Sequence, residues 1–174
     1  MPPSTIRTAV ADNRIPTLVA DLASSDPTVR TNARKALVAI GKLTVPSLIR
    51  LLSHRKPHVR WEAAKALGGI ADPIAATALV NALDDRDSDV RWLAAEGLAA
   101  LGRESLQPLL AALIERAQSL WFCEGAHHVC HTLVNRKRLG PILRPVLASL
   151  KQSEPEVAAP PAAYAALSKL RQLN

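Results

Sequence analysis

The chain has 174 residues, among them 30 Ala and 26 Leu but only 7 Gly and 3% aromatics, a composition that favours helix and argues against an all-β or doubly wound α/β fold. At 48% hydrophobic and 21% charged it is neither disordered nor bilayer-spanning in character, and no apolar run approaches the roughly 18–20 residues a membrane crossing needs. The formal net charge of +7, with an isoelectric point near 10.0, favours acidic partners. The length fits a single domain over residues 1–174. The first twenty residues carry Arg7, Asp12 and Arg14 without a continuous apolar stretch, so no signal peptide is expected and the cytoplasm is the default compartment. Cys123 and Cys130, seven residues apart in one predicted helix, would stand about 10 Å apart and cannot bridge each other within it.

In chain order, residues 1–13 are expected as a frayed cap and Pro16 to Leu22 as a first helix. A repeated pattern then begins. Asp26-Pro27-Thr28-Val29-Arg30 is followed by Ala33, Ala36-Leu37 and Ile40-Gly41, and Pro57-His58-Val59-Arg60 by Ala63, Ala66-Leu67 and Ile70. Asp87-Ser88-Asp89-Val90-Arg91 is followed by Ala94, Gly97-Leu98 and Leu101-Gly102. The arginines stand 30 and 31 residues apart, and a further step of 31 places Trp121 at the valine position and Phe122 at the arginine position of a fourth copy. Between these helices run others with apolar residues at helical spacing, over 45–52, 75–83, 106–114 and 141–150. Pro16, Pro27, Pro46, Pro57, Pro73, Pro108 and Pro155 mark helix starts, while Gly41 and Gly102 mark ends. The tract from Glu154 to Pro161 reads as loop and Ala162 to Leu173 as a closing helix. The result is about five two-helix units, near 15–42, 43–71, 72–103, 104–136 and 137–174.

The pattern Asp-Pro-x-Val-Arg-x-x-Ala-x-x-Ala-Leu-x-x-Ile-Gly resembles the HEAT repeat, in particular its short phycobilin-lyase-like form. The resemblance covers nearly the whole chain, strongly in the first three units and weakly in the last two. It implies an all-α, right-handed α-solenoid of about five two-helix HEAT-like repeats, with the helices opening on Val-Arg lining the concave side. Scaffolds of this kind serve unrelated tasks, so the fold alone does not name the function.

Helical phase puts Val29, Ala33, Ala36, Leu37 and Ile40 on one core stripe, with small residues at 33, 36, 63, 66, 94 and 97 for close stacking. Arg30, Arg60 and Arg91 form a row for which a structural role is expected, and the resemblance implies an acid near the preceding turn, such as Asp26 or Asp87, as partner. On the solvent side Thr31, Trp61, Trp92 and Cys123 form one line and Lys35, Lys65, Glu96 and His127 the next. Exposed Trp beside positive charge is a recognition anchor. The leading reading is therefore a non-enzymatic, protein-binding scaffold that meets an acidic partner through Trp61, Trp92, Lys35, Lys65, Glu62, Glu96, Cys123 and His127.

Chemistry beyond binding is weakly signalled. Cys123, His127 and Cys130 share the expected outward face, and Glu124, His128 and His131 an adjacent edge, but neither triplet has a fourth ligand for a closed metal site. His128, aligned with Ala36, Ala66 and Gly97, reads instead as a hydrogen-bonded filler. The iron-binding His-Glu dipeptides of the HEAT-like deoxyhypusine hydroxylases are not matched, because the corresponding pairs read Trp61-Glu62, Trp92-Leu93 and Cys123-Glu124. No phosphate loop, nucleophile elbow or His-Glu-x-x-His occurs, so neither a catalytic site nor a cofactor is expected. Two further readings follow from the resemblance. One is a bilin-lyase-like subunit that handles a chromophore. The other is nucleic-acid binding in a basic concave groove, as in HEAT-like DNA glycosylases, through Trp61, Trp92, Arg34, Lys35 and Lys65. The basic turns His54-Arg55-Lys56 and Arg136-Lys137-Arg138 read as solvated loops. The oligomeric state is left open, with the last unit either a cap or a dimer surface.

Overall fold

The computed structural model of the chain describes residues 13–136 and 138–172, which form a solenoid of paired helices. Helix α1 spans residues 13–21, α2 Pro27–Ile40, α3 Val45–Leu51, α4 Pro57–Ile70, α5 Ala76–Ala82 and α6 Ser88–Leu101. They are followed by α7 Leu106–Arg116, α8 Leu120–Leu133, α9 Gly140–Leu150 and α10 Pro155–Gln172. Short 3-10 segments, Gly41–Thr44, Pro73–Ala75 and Gly102–Ser105, lead into α3, α5 and α7. The cap expected over residues 1–13 lies, apart from residue 13, outside the described residues, as do Lys137 and the last residue of the predicted closing helix.

Local chemistry sets the helix ends. Asp26 and Asp87 accept backbone N–H bonds from Thr28 and from Asp89 and Val90, and Ser119 accepts from Phe122. Pro27 and Pro57 occupy the first helical positions, where no partner for an N–H is missed. Gly41 and Gly102 end α2 and α6 with φ of 79° and 66°, a conformation in which a side chain is strained. At the same joints Thr44 Oγ1 donates to the Leu37 and Gly41 carbonyls and Ser105 Oγ to that of Gly102, so carbonyls left over at a helix end are satisfied inside the core.

Helices α2, α4, α6 and α8 pack side by side in one row, and α5, α7 and α10 pack successively in a second. Each row helix buries the same positions: Ala33, Ala63, Ala94 and Ala126, then Leu37, Leu67, Leu98 and Cys130. Backbones approach most closely between α4 and α6, where a Cβ on Gly68 would stand 3.2 Å from the Gly97 Cα.

Two expectations fail, each for a physical reason. The row helices are capped by residues 26, 56, 87 and 119, so the third step, which leads to the fourth copy, is 32 residues and not 31. The added length lies in α7, which has 11 residues where α3 and α5 have 7, while the connection to α8 is shorter than those to α4 and α6. The longer step moves Phe122 to the valine position and Cys123 to the arginine position, and it leaves Trp121 outside the core. The tract 154–161 is the start of α10 and not a loop, although Pro160 and Pro161 lie inside the helix. Their missing N–H groups leave the carbonyls of Glu156 and Val157 unbonded within the helix, and both residues are exposed, so water can serve those carbonyls. The stripe Ala159, Ala163, Ala166, Leu167 and Leu170 runs buried across the proline pair against α7 and α9, and this packing keeps the helix continuous through it. The last hairpin is also laid down in reversed order: α9 packs beside α8 and α10 beside α7.

Candidate functional site

The arginine row is structural, but its partners are not those the resemblance implies. Arg30, Arg60 and Arg91 each turn Nη1 back onto carbonyls of their own preceding turn, at Ser24 and Ser25, His54 and Arg55, and Asp85 and Arg86. Each then reaches forward by one unit. Arg30 Nε lies 3.5 Å from Glu62, Arg60 makes a two-pronged pair with Asp85 at 2.7 Å per bond, and the Arg91 guanidinium sits 4.5 Å over the Trp121 ring. Asp85 raises the Arg60 pKa above its ordinary value against the opposing effect of burial. Asp26 and Asp87 cap helices instead of pairing with these arginines.

With the register corrected, the exposed face of the row α2–α4–α6–α8 carries Thr31, Trp61, Trp92 and Glu124 along one line and Lys35, Lys65, Glu96 and His128 along the next. Trp61 is half-buried and covered by cations, with Lys65 Nζ 4.4 Å and the Arg34 guanidinium 5.8 Å from its ring centre. Glu62 does not face the groove. It is 4% exposed, and Arg34 Nε donates to it at 2.7 Å. Lys35 and Lys65 remain exposed, and among the described residues neither makes an ion pair.

Further along the row the wall opens between α6 and α8 into a cleft of about 270 Å³. Trp92, 56% exposed, and Trp121, 45% exposed, form its apolar sides, with Ala95 and Gly125 also lining it. A Cβ at Gly125 would meet Leu83 Cδ2 at 2.7 Å, so any larger residue here would displace that leucine. Arg91, Glu124 and His128 supply the polar rim. His128 Nε2 stands 2.6 Å from Glu96 Oε1, and its ring leans on Trp92 with centres 4.6 Å apart, so the Trp92 indole is held in place from one side. His128 is thus a hydrogen-bonded surface residue; Val129 takes the place aligned with the small residues.

Trp121 is the residue that the sequence reading missed. Its neighbour Leu120 is 66% exposed, so hydrophobicity alone does not show which residue of Leu120-Trp121-Phe122 turns inward. Ser119 does show it, because a cap at that position fixes the phase of everything after it.

The same shift takes Cys123 and His127 out of the exposed lines. Cys123 is 5% exposed and its thiol donates to the Ala117 carbonyl at 3.3 Å. His127 stacks with His131 at 6.0 Å, and its pKa is lowered by burial first and then by the charge of Lys151. Among the described residues no group of three or more His, Cys, Asp or Glu is placed to hold a metal, and the set Cys123, Glu124, His127, His128, Cys130 and His131 is split between core and surface. Burial pushes the Cys130 thiol up to about 12 and also raises that of Cys123. At pH 8 about one Cys130 in ten thousand is then thiolate. Both thiols are expected to resist a disulfide reagent in the folded chain and to react fully in denaturant. Rapid labelling of either in native buffer would contradict the placement of α8.

Among the described residues no helix is long and apolar enough to cross a membrane. No curated protein matches the chain. Among solved structures it resembles a chain of the complex of CpcE and CpcF of phycocyanin lyase from Nostoc sp., with 27% identity over 88% of this chain and 98% of that one and a TM-score of 0.58. An engineered protein is similar at 21% identity over 99% of this chain and 85% of that one, with a TM-score of 0.47. The family model for HEAT repeats matches residues 15–99 and again 48–126, a stretch that contains α2, α4 and α6 and the start of α8. The chain belongs to the HEAT-repeat family.

Proposed function

We propose that the chain is a non-enzymatic scaffold that binds a protein partner, acidic in character, along the exposed face of α2, α4, α6 and α8. The observation that carries this reading is the pair Trp92 and Trp121: two large rings left open to water on either side of a cleft, each steadied from one side, by His128 and Arg91. Rings held in place lose little further freedom when a partner docks, which is the property of an interface anchor. The likeness to a chain of the CpcE–CpcF complex supports the reading, because that relative assembles with another protein.

A chromophore-handling role draws on the same likeness but gains nothing from the cleft. Its 270 Å³ falls below the roughly 300–1,000 Å³ of pockets that enclose drug-sized ligands. The excess of positive charge at Lys35 and Lys65 is not continued along the face, where Glu96 and Glu124 stand beside Arg91, so the unbroken basic track that a phosphate backbone requires is not offered.

The test is capture from the native host followed by mass spectrometry, with wild type beside the variant Trp92→Ala, Trp121→Ala. Both side chains are largely exposed, so the variant should melt within a few degrees of wild type while capture of a reproducible partner falls at least tenfold. Undiminished capture by a folded variant would sink the proposal, and a change in visible absorption on adding a bilin would favour the chromophore role.

A further inference from the structure

The exposed face is divided electrostatically. At the α2–α4 end, Glu62 is buried against Arg34 and close to Arg30, so it leaves the ammonium groups of Lys35 and Lys65 uncompensated. Lys65 is also held in place over Trp61, which makes that ring a platform for a charge and not a free anchor. At the α6–α8 end the cleft rim carries one guanidinium, Arg91, and one carboxylate, Glu124, while Glu96 is hydrogen-bonded to His128. A positive end thus adjoins a neutral, two-ringed cleft with the volume for one large side chain.

Helix spacing turns this division into a register. Neighbouring row helices stand about 10 Å apart. The cleft, between α6 and α8, is therefore about 15 Å from the α4 line that carries Lys65 and about 25 Å from the α2 line that carries Lys35. An extended chain advances about 3.4 Å per residue, so those spans correspond to about four and seven residues.

Resting on the scaffold reading and adding the chemistry of what is bound, we infer that the groove takes an extended acidic segment of the partner. One large apolar side chain sits between Trp92 and Trp121, and carboxylates about four and seven residues away pair with Lys65 and Lys35. The buried Glu62 keeps the positive end positive, and the balanced cleft disfavours a charged side chain there, because such a group would be desolvated without a partner.

The experiment uses the intact chain and fluorescein-labelled twelve-residue peptides, read by anisotropy. One peptide carries Phe with Glu four and seven residues before it, and a second has the same spacing after it, since charge does not set the direction of the chain. A third places both Glu next to Phe, and a fourth replaces both Glu with Lys. One of the first two should bind at least tenfold more tightly than the third and the fourth. Lys35→Gln with Lys65→Gln should weaken that peptide about tenfold and flatten its dependence on salt. Trp92→Ala should abolish its preference for Phe over Ala at the anchor. Equal binding of the third or fourth peptide, binding of none, or tighter binding of a labelled DNA duplex would overturn the inference. Partner capture that still depends on Trp92 and Trp121 in those cases would leave the scaffold reading standing, whereas capture undiminished in the folded double variant would remove both.

Discussion

Replacing Phe122 by Ala should cost about 3–5 kcal/mol of folding stability, measured by urea denaturation, and lower the melting temperature by roughly 10 °C. Phe122 is completely buried at the position held by Val59 and Val90 in the preceding helices, and the Arg116 guanidinium lies 5.5 Å from its ring centre. Deleting the ring opens a cavity among elements that close the array, because α8 packs on α6, α7 and α9. Stability in a stacked array is a sum of units and their interfaces, so part of the loss should appear as early unfolding of α9 and α10. The neighbouring change Trp121→Ala should cost no more than about 1 kcal/mol, since that ring is 45% exposed and gives up chiefly its contact with Arg91. The two substitutions together decide the register of α8. Trp121→Ala as the more damaging would restore the 31-residue spacing.

That register marks the limit of what the sequence could convey. Units one to three were legible because three independent signals agree in each: a proline or capping residue at the start, Val-Arg four residues in, and small residues on the stacking face. In the fourth unit the arginine is gone, and a run of three large apolar residues, Leu120, Trp121 and Phe122, gives no phase of its own. One inserted residue then rotates a helix by about 100°, enough to exchange Cys123 with Glu124 and His127 with His128 on the groove wall. Helix α10 was misread for a different reason. Two adjacent prolines are a strong local signal against helix, and only the tertiary packing of an alanine-rich stripe overrides it. The exposed lines of equivalent residues on α2, α4 and α6 were visible in the repeat, whereas the cation-covered end at Trp61 and the open cleft at Trp92 and Trp121 depend on distances between units.

Glu62→Ala is the substitution expected to act on stability and on the groove together. The carboxylate is buried between two guanidiniums, and removing one partner of a buried pair costs about 3–5 kcal/mol when the other is sealed in. Arg30 and Arg34 keep 18% and 16% of their side-chain exposure and can turn partly to water, so about 2–3 kcal/mol is expected here. In a cycle with Arg34→Ala the coupling should be at least about 1 kcal/mol, because the two residues share a 2.7 Å bond between adjacent units. The freed Arg34 lies near the Trp61 platform and would add a positive charge to the end that already holds Lys35 and Lys65. A less stable variant that binds the acidic peptide more tightly at low salt is therefore the expected outcome. Weaker binding with the fold intact would mean that Glu62 orders the platform through Arg34 and does more than shield its charge.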